Sequence, residues 1–286
     1  MKAARKVELQ DLIRRIRAIE GQSVDAVHTA EAPAIRLVDE PAGETPALAA
    51  ATFSTGWTGI DAVVGGGLPR GALHEWLGLQ PVEEQPKPRR EFWSPPLSIL
   101  AHLAWQAAGE ADAPPWTLWI GPQCFPYPHV LTRHRGADRR LLDRCIFVRA
   151  QNMAERLWAT ELALRCRAVG AVIVDASQFS MPATRRIQLL ARTHGCVVLA
   201  ARPAHERKEL SAAHSRWLVQ WAMSQGAFAM PRWRVELLRC KGTRVEDRPG
   251  WILEQDRATG AIGVSAALAD ATGEETPVAR ARALGL

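Results

Sequence analysis

Ser54-Thr-Gly-Trp-Thr-Gly-Ile-Asp61, then Gly65-Gly-Gly-Leu-Pro-Arg-Gly71 and Ala72-Leu-His-Glu-Trp-Leu-Gly78, form the stretch on which the reading of the fold turns. They predict a short helix over 57–64, a glycine turn closed by Pro69, and a strand over 72–78. Three consecutive glycines allow positive φ and a sharp reversal, while Pro69 presets one side of it. The chain continues Leu79-Gln-Pro-Val-Glu-Glu-Gln-Pro-Lys-Pro-Arg-Arg-Glu91, with no Gly-Lys-Ser/Thr anywhere. A phosphate loop needs small residues whose N–H groups converge on phosphate, followed by a Lys and a Ser/Thr at a helix start. Here Glu83 and Glu84 stand where anions would sit, and prolines 81, 86 and 88 remove three donors. Lys87 precedes Pro88 and opens no helix. The segment reads as a solvated linker.

Downstream, helices and strands alternate. A helix is expected over 95–108, with proline tolerated in its first turn and Gly109 closing it. Trp116-Thr-Leu-Trp-Ile120 reads as a buried strand from its continuous apolar content. A short helix near Val130 follows, then a strand over 145–148, a helix over 152–169 and a strand over 171–175. Next come a helix over 182–193 and a strand over 196–200. Beyond Ala201 the helices stop, and antiparallel strands are expected over 215–223, 232–239 and 251–255. Such alternation predicts an α/β fold with a largely parallel central sheet covered on both faces, extended by a C-terminal antiparallel hairpin.

The ends are different in character. Leu9, Leu12, Ile13, Ile16 and Ile19 fall at helical spacing, with Arg14, Arg15 and Arg17 off the stripe. This amphipathic helix over 1–20 must dock on the core or on a neighbouring chain, so the five apolar residues are candidate partner or oligomer contacts. A linker rich in Ala, Pro, Gly and acids spans 21–52, with Ile35-Arg-Leu-Val38 as a short candidate strand for a sheet edge. The core is placed at 53–266 and a fraying tail at 267–286.

At 286 residues and a formal net charge of +6, the chain has room for a sizeable core. Its charge permits contact with nucleic acid without requiring it. No apolar run has the length of a membrane span, and the N-terminus lacks the apolar segment of a signal peptide, so a cytoplasmic location is expected. Five cysteines (124, 145, 166, 196, 240), without a C-x-x-C pair, read as reduced packed thiols. Cys124, His129 and His134 fit no usual closed metal site, so no metal is assigned. Of the eleven tryptophans, 116, 119, 158, 217 and 221 lie in apolar runs and read as core. Trp57 and Trp93 sit near loops, as turn packing or as anchors for a partner.

In order and spacing, residues 53–256 resemble the core of RecA-type recombinases. The resemblance runs from the Ser-Thr-Gly opening, the Gly-Leu-Pro-x-Gly turn and Val172-Ile-Val-Asp175 to the late hairpin. It implies a RecA-like three-layer sandwich in which Asp175 matches the Mg²⁺-linked carboxylate. Gly78 would mark the end of the strand that enters the phosphate loop. Gln123 stands where the family has the Glu that activates water, and an amide cannot take that proton as a carboxylate can. Gly78, Gln123 and Asp175 are therefore vestigial candidates of a nucleotide site. The two DNA-holding loops of recombinases would follow Asp175 and Ala201, yet residues 176–182 and 202–214 are too few to clamp a strand.

Phe53-Ser-Thr-Gly-Trp-Thr-Gly-Ile-Asp61 with the late Trp233-Arg-Val-Glu-Leu-Leu-Arg239-x-x-Gly242 pattern resembles the ImuA family, RecA-like accessory proteins of bacterial damage-induced mutagenesis. That resemblance implies a place in a translesion synthesis complex, beside a catalytically defective Y-family polymerase homologue and an error-prone replicative-type polymerase. No catalytic residue and no cofactor are assigned; contact with a second copy or with RecA is open. Two other functions stay in view. One is an ATPase with an atypical phosphate site built from Asp175, Gln123 and an arginine such as Arg90. The other is a DNA-binding module acting through Arg133, Arg135, Arg139, Arg140, Arg144, Arg185 and Arg186, each of which reads first as part of a solvated helix face.

Overall fold

The opening motif folds into a knot centred on Asp61. The computed structural model describes residues 51–78, 93–109, 115–132, 141–223, 230–243, 250–256, 259–269 and 274–277. Strands β1 (Thr52–Phe53) and β2 (Leu68–Pro69) pair antiparallel around helix α1 (Thr58–Val63). Asp61 Oδ1 accepts from the Thr55 amide at 2.9 Å and its hydroxyl at 2.7 Å, while Oδ2 accepts from Ser54 Oγ at 2.6 Å. The Ser-Thr-Gly opening and the later Asp are thus one hydrogen-bonded unit. Gly67 closes the turn at φ +133, where an added Cβ would lie 2.3 Å from the Phe53 carbonyl oxygen. Only glycine fits there.

Ten strands form the central sheet: β3 (Leu73–Gly78), β4 (Trp116–Ile120), β5 (Cys145–Val148), β6 (Val169–Asp175), β7 (Val197–Pro203), β8 (Ser215–Trp221), β9 (Arg232–Cys240), β10 (Gly250–Gln255), β11 (Ile262–Ala269) and β12 (Glu274–Pro277). Their order is β12-β11-β10-β9-β8-β3-β7-β6-β4-β5. From β8 to β5 every pairing is parallel; from β8 to β12 every pairing is antiparallel. Helices α2 (Leu97–Ala108), α3 (Pro128–Thr132), α4 (Met153–Leu164) and α5 (Met181–His194) complete the described set. The sandwich has the three layers expected.

Period-two alternation sorts the strand residues between two cores. Trp76, Trp119, Ile173, Leu199 and Trp217 pack under α1 and α2, whereas Leu73, Leu118, Val172, Val174 and Val198 pack under α4 and α5. Trp76 and Trp217 are register partners whose rings stack at 5.0 Å, adding ~1 kcal/mol beyond their burial. Trp57 belongs to the first core: it is buried, stacks on His102 at 4.6 Å and donates from Nε1 to the Ile262 carbonyl at 2.8 Å. The partner-anchor reading of Trp57 is thereby excluded.

Several expectations change. The helix expected over 152–169 ends at Leu164, and Val169 already begins β6. Its start is well specified, because Asn152 caps the Glu155 amide at 2.9 Å while Glu155 Oε2 accepts from the Gln151 amide at 2.8 Å. Its end is a local turn, in which the Arg165 amide bonds to the Leu162 carbonyl at 3.3 Å and the Cys166 amide to that of Ala163 at 3.0 Å. Trp158 and Trp221, read as core, are 38% and 48% exposed. Trp158 stands on α4, and Trp221 ends β8, whose last two residues are exposed. β7 runs three residues past the expected end, because buried Arg202 finds carboxylates. Ala267 to Ala269, assigned to a fraying tail, continue β11, and Glu274–Pro277 pair with it as β12. Backbone ladders hold these Ala-rich residues where no side-chain period announces a strand.

Candidate functional site

The C-terminal ends of parallel strands are where open α/β sheets bind ligands, and here β3, β6 and β4 bring Gly78, Asp175 and Gln123 to one edge. Asp175 ends β6 and is buried. Its Oδ2 lies 3.2 Å from Arg156 Nη1, and its Oδ1 accepts from the Ser177 amide at 3.0 Å. Arg156 projects from α4, is itself buried, and donates from Nη2 to the carbonyl and hydroxyl of Ser177, each at 3.1 Å. Gly121, at φ +93, makes room for it: a Cβ there would lie 3.0 Å from Asp175 Cβ and 3.1 Å from Arg156 Cδ. A guanidinium therefore fills the position next to the strand-end carboxylate. Cys124 lies beside this pair, and burial, reinforced by the Asp175 charge, pushes its thiol well above its usual range, so it stays protonated.

The neighbouring strand end is equally occupied. At Gly78 an added Cβ would lie 2.5 Å from the Ser94 carbonyl oxygen and 3.2 Å from Pro95 Cα, so returning backbone crosses the end of β3. α2 then starts behind Pro95 and Pro96, which carry no N–H, and the Leu97 amide donates to the Pro95 carbonyl at 2.8 Å. A RecA-like sheet implies a magnesium nucleotide at this edge. These described residues do not fit one: the carboxylate is paired, backbone fills the end of β3, and the helix start offers few free amides.

A second polar assembly lies buried beneath the loops that follow β6 and β7. Glu75, in the middle of β3, accepts from Arg202 Nη1 at 2.9 Å, Ser211 Oγ at 2.5 Å and Arg216 Nε at 2.7 Å. Arg202 also binds Glu206 at 2.8 Å and the Phe179 carbonyl at 3.1 Å, and Glu206 accepts from the Gln178 amide at 2.9 Å. Burial acts against the Arg202 charge, but the facing Glu75 and Glu206 carboxylates outweigh it and raise its pKa. Two carboxylates and two guanidiniums balance, which lets four charges sit out of water. Gln178 is held at φ +67, a conformation costing a non-glycine residue ~1–2 kcal/mol. Both loops are thus bolted to the sheet and to each other.

Comparison with known proteins decides the family. The ImuA proteins of two Caulobacter vibrioides strains, NA1000 / CB15N and ATCC 19089 / CIP 103742 / CB 15, are each 32% identical to this chain over 208 residues, covering 68% of it and 79% of the relative. The chain belongs to the ImuA family. No family model matches it. Among solved structures, the crystal structure of the RadB recombinase superposes with a TM-score of 0.52 at 14% identity, covering 73% of this chain and 98% of that one. That likeness establishes the RecA-like fold.

Within this ImuA-family chain the expected site residues fare unevenly. Gly78 and Asp175 sit at strand ends as expected, while Gln123 is exposed in a 3-10 turn, Pro122–Cys124. Arg185 and Arg186 are exposed on α5, and Arg186 is paired with buried Glu161 at 2.7 Å. Arg144 is half-buried, with its guanidinium 5.4 Å from the centre of the Trp116 ring. Leu9, Leu12, Ile13, Ile16, Ile19, Arg90, Arg133, Arg135, Arg139 and Arg140 lie outside the described residues. The late family pattern acquires a physical role: Trp233, Val235 and Leu237 are buried, and Arg239 Nη2 binds the carbonyls of Ser211 at 3.0 Å and Ala213 at 2.8 Å. Sequence reasoning missed Arg156, Arg202, Glu206 and Arg216. Glu75 was the available signal, since a carboxylate inside an apolar strand requires buried partners.

Proposed function

We propose that this ImuA-family chain is a non-catalytic RecA-like scaffold of a damage-induced translesion DNA synthesis complex in the cytoplasm. Its partners in this reading are a catalytically defective Y-family polymerase homologue and an error-prone replicative-type polymerase. The observation that carries the reading is the Arg156–Asp175 pair at 3.2 Å. A phosphoryl-transfer site works through a metal ion bridging the phosphates, held through acidic side chains near the strand ends. With Asp175 committed to an internal guanidinium, the sheet edge keeps its architecture and gives up that chemistry. The bolted loops support the same view, because a clamp on single-stranded DNA must open and close, and residues 176–180 and 204–214 are tied down by Glu75, Arg202 and Glu206. What a RecA-like frame retains without that chemistry is shape, which suits protein contact.

Co-purification of the full chain with the Y-family polymerase homologue tests this reading. A stable complex that survives size-exclusion chromatography is the expected result. Separate elution at micromolar concentration, with both proteins folded, would count against the scaffold function.

A further inference from the structure

The loop after β7 is held in an unusual way. Arg216 donates to the carbonyls of Glu206 at 3.3 Å, Arg207 at 3.0 Å and Glu209 at 3.0 Å. Arg239 takes those of Ser211 and Ala213, Lys241 Nζ takes that of Ala212 at 2.9 Å, and the Lys241 amide takes that of His214 at 2.9 Å. Glu75 fixes Arg216 and Ser211 from beneath. The backbone from 206 to 214 is therefore ordered by cations of the folded core, before any partner arrives. Outward it turns the exposed residues His205, Arg207, Lys208 and Glu209, and Leu210, which is 76% exposed.

Leu210, so exposed, contributes little burial to the fold it sits on. With the backbone already ordered, Leu210 enters a partner's pocket at little further cost in chain entropy. We propose that residues 205–210 are a preformed docking epitope for a partner protein bearing an apolar pocket rimmed by carboxylates. Leu210 fills the pocket, and Arg207 and Lys208 meet the rim. Nucleic acid is the less suited occupant, because phosphates have no use for the exposed apolar residue Leu210 at the apex. The inference rests on the scaffold reading and supplies the surface by which that scaffold takes a polymerase partner.

The test measures binding of the purified, cognate Y-family polymerase homologue to the full chain by biolayer interferometry. Its variants are Leu210→Asp, the pair Arg207→Glu/Lys208→Glu, and Leu189→Asp as a control at another exposed leucine, 56% exposed on α5. Leu210→Asp should weaken binding at least ~10-fold and the charge pair several-fold, with a flatter salt dependence, while Leu189→Asp stays at wild-type affinity. Unchanged melting of Leu210→Asp, expected for so exposed a residue, separates the effect from unfolding. Wild-type affinity in both loop variants would overturn the epitope and leave the scaffold reading standing. Failure of the wild-type chain to bind would overturn both. If the charge pair kept polymerase binding but lost a single-stranded oligonucleotide, the loop would be a nucleic-acid contact and the proposal wrong.

Discussion

Replacing Arg156 by Met isolates the central feature of the sheet edge. The substitution leaves the Asp175 carboxylate, 3% exposed, with the Ser177 amide as its remaining partner among the described residues. Breaking a buried pair by removing one partner costs about 3–5 kcal/mol, because the abandoned charge stays out of water. Some of this is returned: Arg156 Nε is buried without a hydrogen bond, a defect of ~1 kcal/mol that Met removes. The net expectation is a loss of roughly 2–4 kcal/mol. For a domain of this size that corresponds to a fall in Tm of roughly 4–16 °C. Urea denaturation followed by circular dichroism measures it, with the slope of the transition checked for constancy. Arg156→Lys, which keeps the charge but loses the fork to Ser177, should fall between wild type and Met. Adding Asp175→Leu to Arg156→Met should recover stability, since no buried charge is then left alone. A cost below ~1 kcal/mol for Arg156→Met, the value of a surface pair, would refute the claim that this guanidinium is built into the site.

Three further outcomes follow from the same geometry. Glu75→Ala leaves Arg202 and Arg216 facing each other and should cost about 3–5 kcal/mol, with limited proteolysis opening first between 204 and 214. His74 is fully buried, bonded to Ser215 Oγ at 2.7 Å and the Pro69 carbonyl at 3.0 Å, and burial pushes its pKa down to about 3. The unfolded chain, titrating near 6.5, binds the proton first, so stability should fall as pH drops from about 6.5 toward 3, by ~2 kcal/mol at pH 5. Chemical denaturation of wild type and His74→Gln across that range should show the slope shrinking in the variant. Gly67→Ala, blocked by the Phe53 carbonyl, should cost about 2–4 kcal/mol, whereas Gly66→Ala, with open space around it, should cost ~1 kcal/mol.

Much of the frame was legible because its signals are local. Trp116-Thr-Leu-Trp-Ile120 announces a buried strand by apolar continuity, and Asn152 with Glu155 announces a helix start by spacing. The end of that helix was not legible, since the turns through Arg165 and Cys166 that close it carry no glycine or proline signal. The site divides in the same way. Asp175 could be placed from the Val172-Ile-Val-Asp175 strand, but the sequence is silent about what stands beside it. Arg156 looks like any helix arginine until folding brings it past Gly121. Glu75 was visible inside an apolar strand, yet its partners at 202, 211 and 216 lie more than a hundred residues away. Their convergence is a property of strand order, with β3 between β7 and β8.

In the proposed scaffold an internal ion pair, Arg156 with Asp175, stands where a nucleotide site would hold its metal and phosphates. Isothermal titration of magnesium ATP into the full chain, carried to millimolar nucleotide, tests it most directly. No saturable heat is the predicted result; saturable binding that Asp175→Asn abolishes would contradict it.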